Sequence, residues 1–166
     1  MAGTTLKDIN TYKNSVLSAL LQSTDILTLL LGEGYTPEQV LGDNNGSNGV
    51  MYQQIFPYLY TEETKTEVKS YICMDVDSTI QNPHIKSSTL TIWVYCNKNT
   101  MKYEKEGYSG TRTDLLSDLI DRQLAQSVNP GLGRLLLKSA KYFIPAAGFY
   151  GRILLYEIPD FKTKNG

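Results

Sequence analysis

Ten residues from Ser87 to Cys96 constrain the fold more than any other stretch of this chain. Leu90, Ile92, Val94 and Cys96 alternate with Thr89, Thr91, Trp93 and Tyr95. Side chains of an extended strand point to opposite faces with a period of two, so this pattern is a β-strand with one aliphatic face. Its second face is aromatic and Thr-rich, which suits packing as well. A strand of this kind requires a sheet. Val68–Val76 supplies a second strand, with Val68, Ile72, Met74 and Val76 on one face and Tyr71 and Cys73 on the other. Ile55–Tyr60 reads as a short strand whose Pro57 places it at a sheet edge or a strand start. Phe149–Ile158 reads as a closing strand, with Tyr150, Leu154, Tyr156 and Ile158 opposed to Ile153 and Leu155. Leu135–Ile144 is strand-like, though its apolar residues also suit a short helix.

Helical spacing appears on either side of these strands. Ile9, Val16, Leu17, Leu20 and Leu21 recur at helical intervals beside Tyr12, predicting a helix over residues 5–22. Thr4 or Thr5 can cap it, and Asp8 sits in the first turn, where the helix dipole favours an acid. Ser23 or Thr24 recaps a short piece, Asp25–Leu31, that Gly32 and Gly34 end. Thr36-Pro37-Glu38-Gln39 has the form of a capping box opening a single turn. Thr111 caps a longer helix whose apolar face is Leu115, Leu116, Leu119, Ile120 and Leu124, and Asn129-Pro130-Gly131 stops it. Four segments read as polar connections: the Gly-rich loop 42–49, Glu62–Glu67, Asp77–Lys86, and Asn97–Gly110 with Tyr103 and Tyr108. The tail 159–166 is polar. The order predicts one α+β domain over residues 1–166, a mostly antiparallel sheet of about four to five strands with helices packed on one face.

Composition excludes several function classes. Lys and Arg number 16 against 17 Asp and Glu, a formal net charge of −1 with no basic stripe. Binding through nucleic-acid phosphates requires a basic surface, so specific DNA or RNA binding is not expected. No apolar run approaches the ~20 residues of a membrane span, and the N-terminus lacks the form of a secretory signal. Cys73 and Cys96 read as free buried thiols of a reducing cytoplasm, or as a cross-strand disulfide if their strands are neighbours. His84 is the one histidine and has no ligand-spaced companion. The loop at Asp43 lacks a calcium-loop acid, since Gln54 stands at the twelfth position. Neither a phosphate-cradling loop nor a nucleophile elbow is present. Asp75 and Asp77 share one strand face and could form a metal-binding pair, the basis of a small-nuclease alternative. No catalytic residue, cofactor or metal is assigned. The 12 tyrosines suit surfaces buried against a partner, or equally strand surfaces.

The layout resembles a known family. A leading helix, a strand carrying Phe56-Pro57, two long strands at Val68–Val76 and Ser87–Cys96, a helix opening at Arg112, and a closing strand Phe149-Tyr150-Gly151-Arg152-x-Leu154-x-Tyr156-x-Ile158-Pro159 are similar to the tail-terminator and neck proteins of tailed phages. That resemblance implies a non-enzymatic virion protein, made in the host cytoplasm. It implies a homo-hexameric ring on the last ring of the tail tube, halting tube growth and meeting the head-side connector. DNA would pass through the lumen without specific binding. A tail-completion or head-closure protein of the same neck is the nearest alternative, and a non-virion assembly chaperone is another. The candidate contact residues are Tyr103, Tyr108, Trp93, Tyr95, Phe149, Tyr150 and Arg152. Arg152 is expected to pair with a carboxylate across the subunit boundary, or else to be a solvated strand arginine. Gly151 is expected at a bulge or a close approach.

Overall fold

Strand pairing organises the chain. In the computed structural model, residues 5–43, 49–61, 67–83, 85–105, 107–126 and 135–158 are described. The elements run α1 (Thr5–Leu21), α2 (Thr24–Leu31), α3 (Pro37–Leu41), β1 (Ile55–Phe56), β2 (Ser70–Asn82), β3 (Ile85–Asn97), a 3-10 turn (Lys98–Thr100), β4 (Lys102–Lys105), β5 (Tyr108–Thr111), α4 (Arg112–Gln126), β6 (Leu136–Phe143) and β7 (Phe149–Ile158). Five strands form one sheet in the order β1-β2-β3-β7-β6, and β4 pairs with β5 alone. Every pairing is antiparallel except β1 with β2. The protein is therefore α+β, as its periodicities predict.

The register stacks the aliphatic positions. Ile72 faces Val94, which faces Arg152; Met74 faces Ile92, which faces Leu154; Val76 faces Leu90, which faces Tyr156. Ile72, Met74, Val76, Leu90, Ile92, Val94, Leu154 and Tyr156 are all buried in one cluster with Val16 and Leu20 of α1, Ile26 and Leu30 of α2, and Leu116 and Ile120 of α4. Burial of each such side chain contributes about 1.5–3 kcal/mol, which makes this layer the main source of stability. The opposite face is covered at one end only. There Tyr71, Cys73, Tyr95, Phe149 and Phe56 form a second cluster, with Trp93 and Tyr60 packed on it. Tyr71 stacks on Tyr95 at 5.2 Å, and Phe149 meets Tyr95 edge-on at 6.1 Å.

Local signals fold as their chemistry dictates. Ser23 Oγ accepts the Ile26 N–H at 3.3 Å. Thr36 and Gln39 close a reciprocal box at 2.7 and 3.4 Å. The Asp114 N–H donates to Thr111 Oγ1 at 3.2 Å, capping α4.

Several expectations need correction. The Ile55–Tyr60 strand is two residues long and runs parallel to β2, because Pro57 has no N–H to continue the ladder. Val68 precedes β2 and is exposed. The expected loop Asp77–Lys86 is the end of a hairpin, in which Ser78 and Ser88 share a hydrogen bond at 2.8 Å. The expected loop 97–110 contains the β4–β5 hairpin, turned at Gly107 with φ of +84°. Both segments are polar, but a ladder is built from main-chain groups and tolerates polar side chains on a solvated surface. Leu135–Ile144 resolves as strand. Cys73 and Cys96 are free. Their strands are neighbours, but Cys73 lies opposite Trp93 and Cys96 opposite Ser70, on different faces. His84, residues 44–48 of the Gly-rich loop, the Asn129–Gly131 stop and the tail 159–166 lie outside the described residues.

Asp8 does more than complement a helix dipole. It accepts from Lys86 Nζ at 2.6 Å, and Lys86 is only 6% exposed. The Lys86 ammonium also lies 5.7 Å from the Tyr12 ring centroid. This ion pair fastens α1 to the far end of β3. Removing the carboxylate takes one counter-charge from a buried ammonium. Asp8→Ala is therefore expected to destabilise the fold by about 2–3 kcal/mol, at or below the lower end of the range for broken buried pairs because Asp8 is partly solvated. Urea unfolding of the variant against the parent protein checks this.

Candidate assembly surface

The residues singled out from sequence fall into three places. Tyr150, Gly151 and Arg152 of β7 line a cleft of about 390 Å³ with Asp114, Met101 and Tyr142. Arg152 does not reach out of the chain. Its Nε donates to Asp114 Oδ1 in the first turn of α4, and both groups are half-exposed. The expected pairing across a subunit boundary is corrected accordingly: the partner carboxylate is in the same chain, 38 residues away. The hydrogen bond from Arg152 holds the Asp114 carboxyl below its ordinary range, and burial opposes this only in part. The same bond raises the guanidinium.

Gly151 is a close approach. A Cβ there would run into the Val94 carbonyl and stand 2.7 Å from Tyr95 Cα. Backbone atoms cannot yield as a flexible side chain would. Gly151→Ala is expected to cost about 2–3 kcal/mol, the upper part of the usual range for overpacking, seen as an unfolding midpoint shifted to lower denaturant.

Tyr103 and Tyr108 sit on the β4–β5 hairpin, their rings 6.3 Å apart. Both are half-buried against their own chain. The Arg112 guanidinium lies 4.8 Å from the Tyr103 ring centroid, and Tyr108 Oη donates to the Thr111 carbonyl at 3.0 Å. Arg112 is a residue that sequence reasoning passed over. It donates to Thr100 O at 2.9 Å and to Leu29 O at 3.2 Å, so it ties the hairpin and α4 to α2. A lone arginine after a capping Thr carries no signal of that long-range role.

Trp93, Tyr95 and Phe149 were expected on a contact surface. Tyr95 and Phe149 are each 2% exposed inside the aromatic cluster, so their rings meet the chain's own core. Tyr95 O–H donates to the Tyr60 carbonyl, and burial pushes its ionisation upward. Trp93 is half-buried and opposes Ile153, and Leu155 opposes Thr91 on the same uncovered face. Burial also pushes the Cys96 thiol up to about 11, so it stays protonated and unreactive at neutral pH.

A cluster of exposed apolar residues lies elsewhere. Leu136, Leu137, Tyr142 and Ile144, on or beside β6, are all exposed, Tyr142 by 65%. β6 is an outer strand of the sheet and, among the described residues, pairs only with β7. A long apolar edge strand is a template for another chain. The signal was present in sequence as the mixed periodicity of Leu135–Ile144, apolar on both faces. Asp75 and Asp77 share a face as their spacing requires. Asp75 is held by Lys13 at 2.6 Å and accepts the Val76 N–H at 2.8 Å. Among the described residues no group of three His, Cys, Asp or Glu side chains could hold a metal ion.

These features define an α+β protein with one helix-covered sheet face and an open apolar edge. Residues 23–158 match the YomW family model. That span is most of the chain, and the protein belongs to the YomW family. The family derives from phage genomes, which makes the chain phage-associated. No curated protein matches the sequence.

The Arg152–Asp114 pair makes a pH prediction. A carboxyl whose folded value is depressed is protonated first in the unfolded chain. Its stabilisation is complete above the ordinary carboxylate value of about 4 and is lost as pH falls through the folded value. Asp114→Asn should therefore be destabilising at pH 6, with a penalty that shrinks below about pH 4. Thermal melts at pH 6 and pH 3 check this, and high salt should reduce the effect because both groups are partly solvated.

Proposed function

We propose that this protein is a structural virion subunit that forms a homo-hexameric ring at the head-proximal end of a phage tail tube. There it caps tube growth and joins the tail to the head-side connector. The observation that carries this reading is the exposed apolar edge at β6, a surface suited to a protein partner. Membership of a phage-derived family agrees with it. A formal net charge of −1 suits a lumen through which DNA passes without being retained. The Tyr150–Arg152 corner and the Tyr103/Tyr108 hairpin lie on half-exposed ground, where the tube protein or the connector can meet the ring.

The test is genetic and microscopic. Inactivating the gene in a phage that carries it should yield overlong, headless tail tubes, and complementation should restore tail length. Native mass measurement and negative-stain imaging of the purified protein should give a six-membered ring. Tubes of normal length with heads attached would overturn the terminator role. Normal tubes that fail to join filled heads would move the protein to the head-closure position.

A further inference from the structure

The open edge at β6 raises the question of which strand fills it. We infer that β6 of one subunit pairs antiparallel with the exposed end of β2, Asp77–Asn82, of the next subunit, so that the five-stranded sheet continues from copy to copy. This rests on the ring reading above and names the contact that would build it.

The hydrogen-bond ladder shows which main-chain groups are available. Ile72 N–H donates to Gln54 O at 2.8 Å, on the side of β2 away from β3. In an antiparallel ladder each residue directs its N–H and C=O to one neighbour, and successive residues alternate. The odd residues of β2 therefore bond to β3, and the even ones face outward. Carrying that alternation through Val94 opposite Arg152 and Ile153 opposite Lys141 leaves the N–H and C=O of Ala140 and Tyr142 pointing away from β7. On the other side of the sheet β1 covers only Ile72 and Cys73, and the Asp75 carboxylate occupies the Val76 N–H. The main-chain groups of Ser78 and Ile80 remain on the open edge.

Direction and face also agree. β2, β3, β7 and β6 alternate in direction, so β6 is antiparallel to β2. A neighbour that keeps the same strand direction and the same helix-covered side then presents β2 antiparallel to β6. Asp77 shares a face with Thr89 and Glu157, and Lys141 shares that same face with Ile153. Asp77 and Lys141 would thus stand on one side of the joined sheet.

Charge selects this pairing over the symmetric ones. β6 carries Lys138 and Lys141 and no acid. Asp77–Asn82 carries one acid and no base. Lys138 is bridged to Glu157 at 3.0 Å, whereas among the described residues Lys141 and Asp77 have no ion-pair partner. Pairing β6 with β6 gathers four lysines on one ribbon, and pairing β2 with β2 opposes two aspartates. Only the head-to-tail contact brings opposite charges together, and a head-to-tail contact closed by rotation makes a ring.

Two sets of variants of the full chain test this, read by native mass and sedimentation at equal concentration. Ala140→Pro removes one outward N–H and leaves the β6–β7 ladder bonded, a substitution that edge strands tolerate. It should weaken ring association by about ten-fold or more, from the lost hydrogen bond and the altered strand edge, with an unchanged far-UV spectrum. Lys141→Asp and Asp77→Lys should each dissociate the ring when alone. Mixed one to one, the two variants should co-assemble, since alternating subunits restore every contact; the double variant should also form rings. If Ala140→Pro fails to fold, the charge variants decide. Rings that persist in both single charge variants overturn the strand contact and leave the ring reading intact. Single variants that dissociate without recovery on mixing overturn it too. A parent protein that stays monomeric at every concentration overturns both readings.

Discussion

Strand β3 lies between β2 and β7, and the alternation along it decides what each side of the sheet can do. Leu90, Ile92 and Val94 are fully buried beneath the helices. Their β2 neighbours Val76, Met74 and Ile72 repeat the apolar choice and β7 adds Leu154 and Tyr156, so α1, α2 and α4 pack on one apolar floor. A shift of one residue in either pairing would send Trp93 and Tyr95 beneath the helices and the aliphatic side chains into water. The register is thus held from both sides, and everything outside the core is placed by it. Asp114 meets Arg152, Asp121 meets Tyr156 Oη at 2.9 Å, and the Gly151 backbone closes on Val94, all because β7 is in step with β3.

The two faces then diverge. The helix side is buried over Ile72, Met74, Val76, Leu90, Ile92, Val94, Leu154 and Tyr156 and opens at the cleft beside Tyr150 and Arg152. On the other side an aromatic plug of Tyr71, Tyr95, Phe149 and Phe56 fills one end, and Tyr60 closes over it, stacked on Phe56 at 4.4 Å. Beyond the plug, Trp93, Ile153 and Leu155 are only half-buried. Tyrosines are numerous here for two separate reasons. Tyr71, Tyr95 and Tyr156 are interior, whereas Tyr52, Tyr58 and Tyr142 stay exposed. The count alone does not distinguish a residue that fills a core from one that awaits a partner.

What sequence could reveal follows from the range of each interaction. β7 is legible to the residue, because alternation is a property of the strand itself. The caps at Ser23, Thr36 and Thr111 are equally legible, since a cap joins residues three apart. The polar hairpins were not, because main-chain pairing leaves no mark on polar side chains. The direction of β1 was hidden as well, since two residues before a proline carry no orientation. For the candidate site the boundary is similar. Gly151 announced a close approach, but Arg152–Asp114, Lys86–Asp8 and Arg112–Leu29 span 38, 78 and 83 residues, beyond any local pattern. Tyr95 and Phe149 read as contact residues yet turn into the chain's own aromatic cluster, because an aromatic strand face has the same pattern whether its own chain or another covers it.

An open sheet edge must be restrained as well as available. β6 exposes apolar side chains and main-chain groups together, the combination that promotes uncontrolled association. Two features oppose indiscriminate pairing. Lys138 and Lys141 repel a second β6, and the register shift between Leu137 and Ser139 breaks the flatness that stacking requires. The other edge is restrained differently: β1 shields Ile72 and Cys73, and Lys13, which also donates to Pro57 O at 2.9 Å, lies across Asp75. What remains open is short on one side and basic on the other. A sheet whose two ends differ in charge discourages like ends from meeting and favours contact between unlike ends, so the charges on its edges oppose indiscriminate self-pairing.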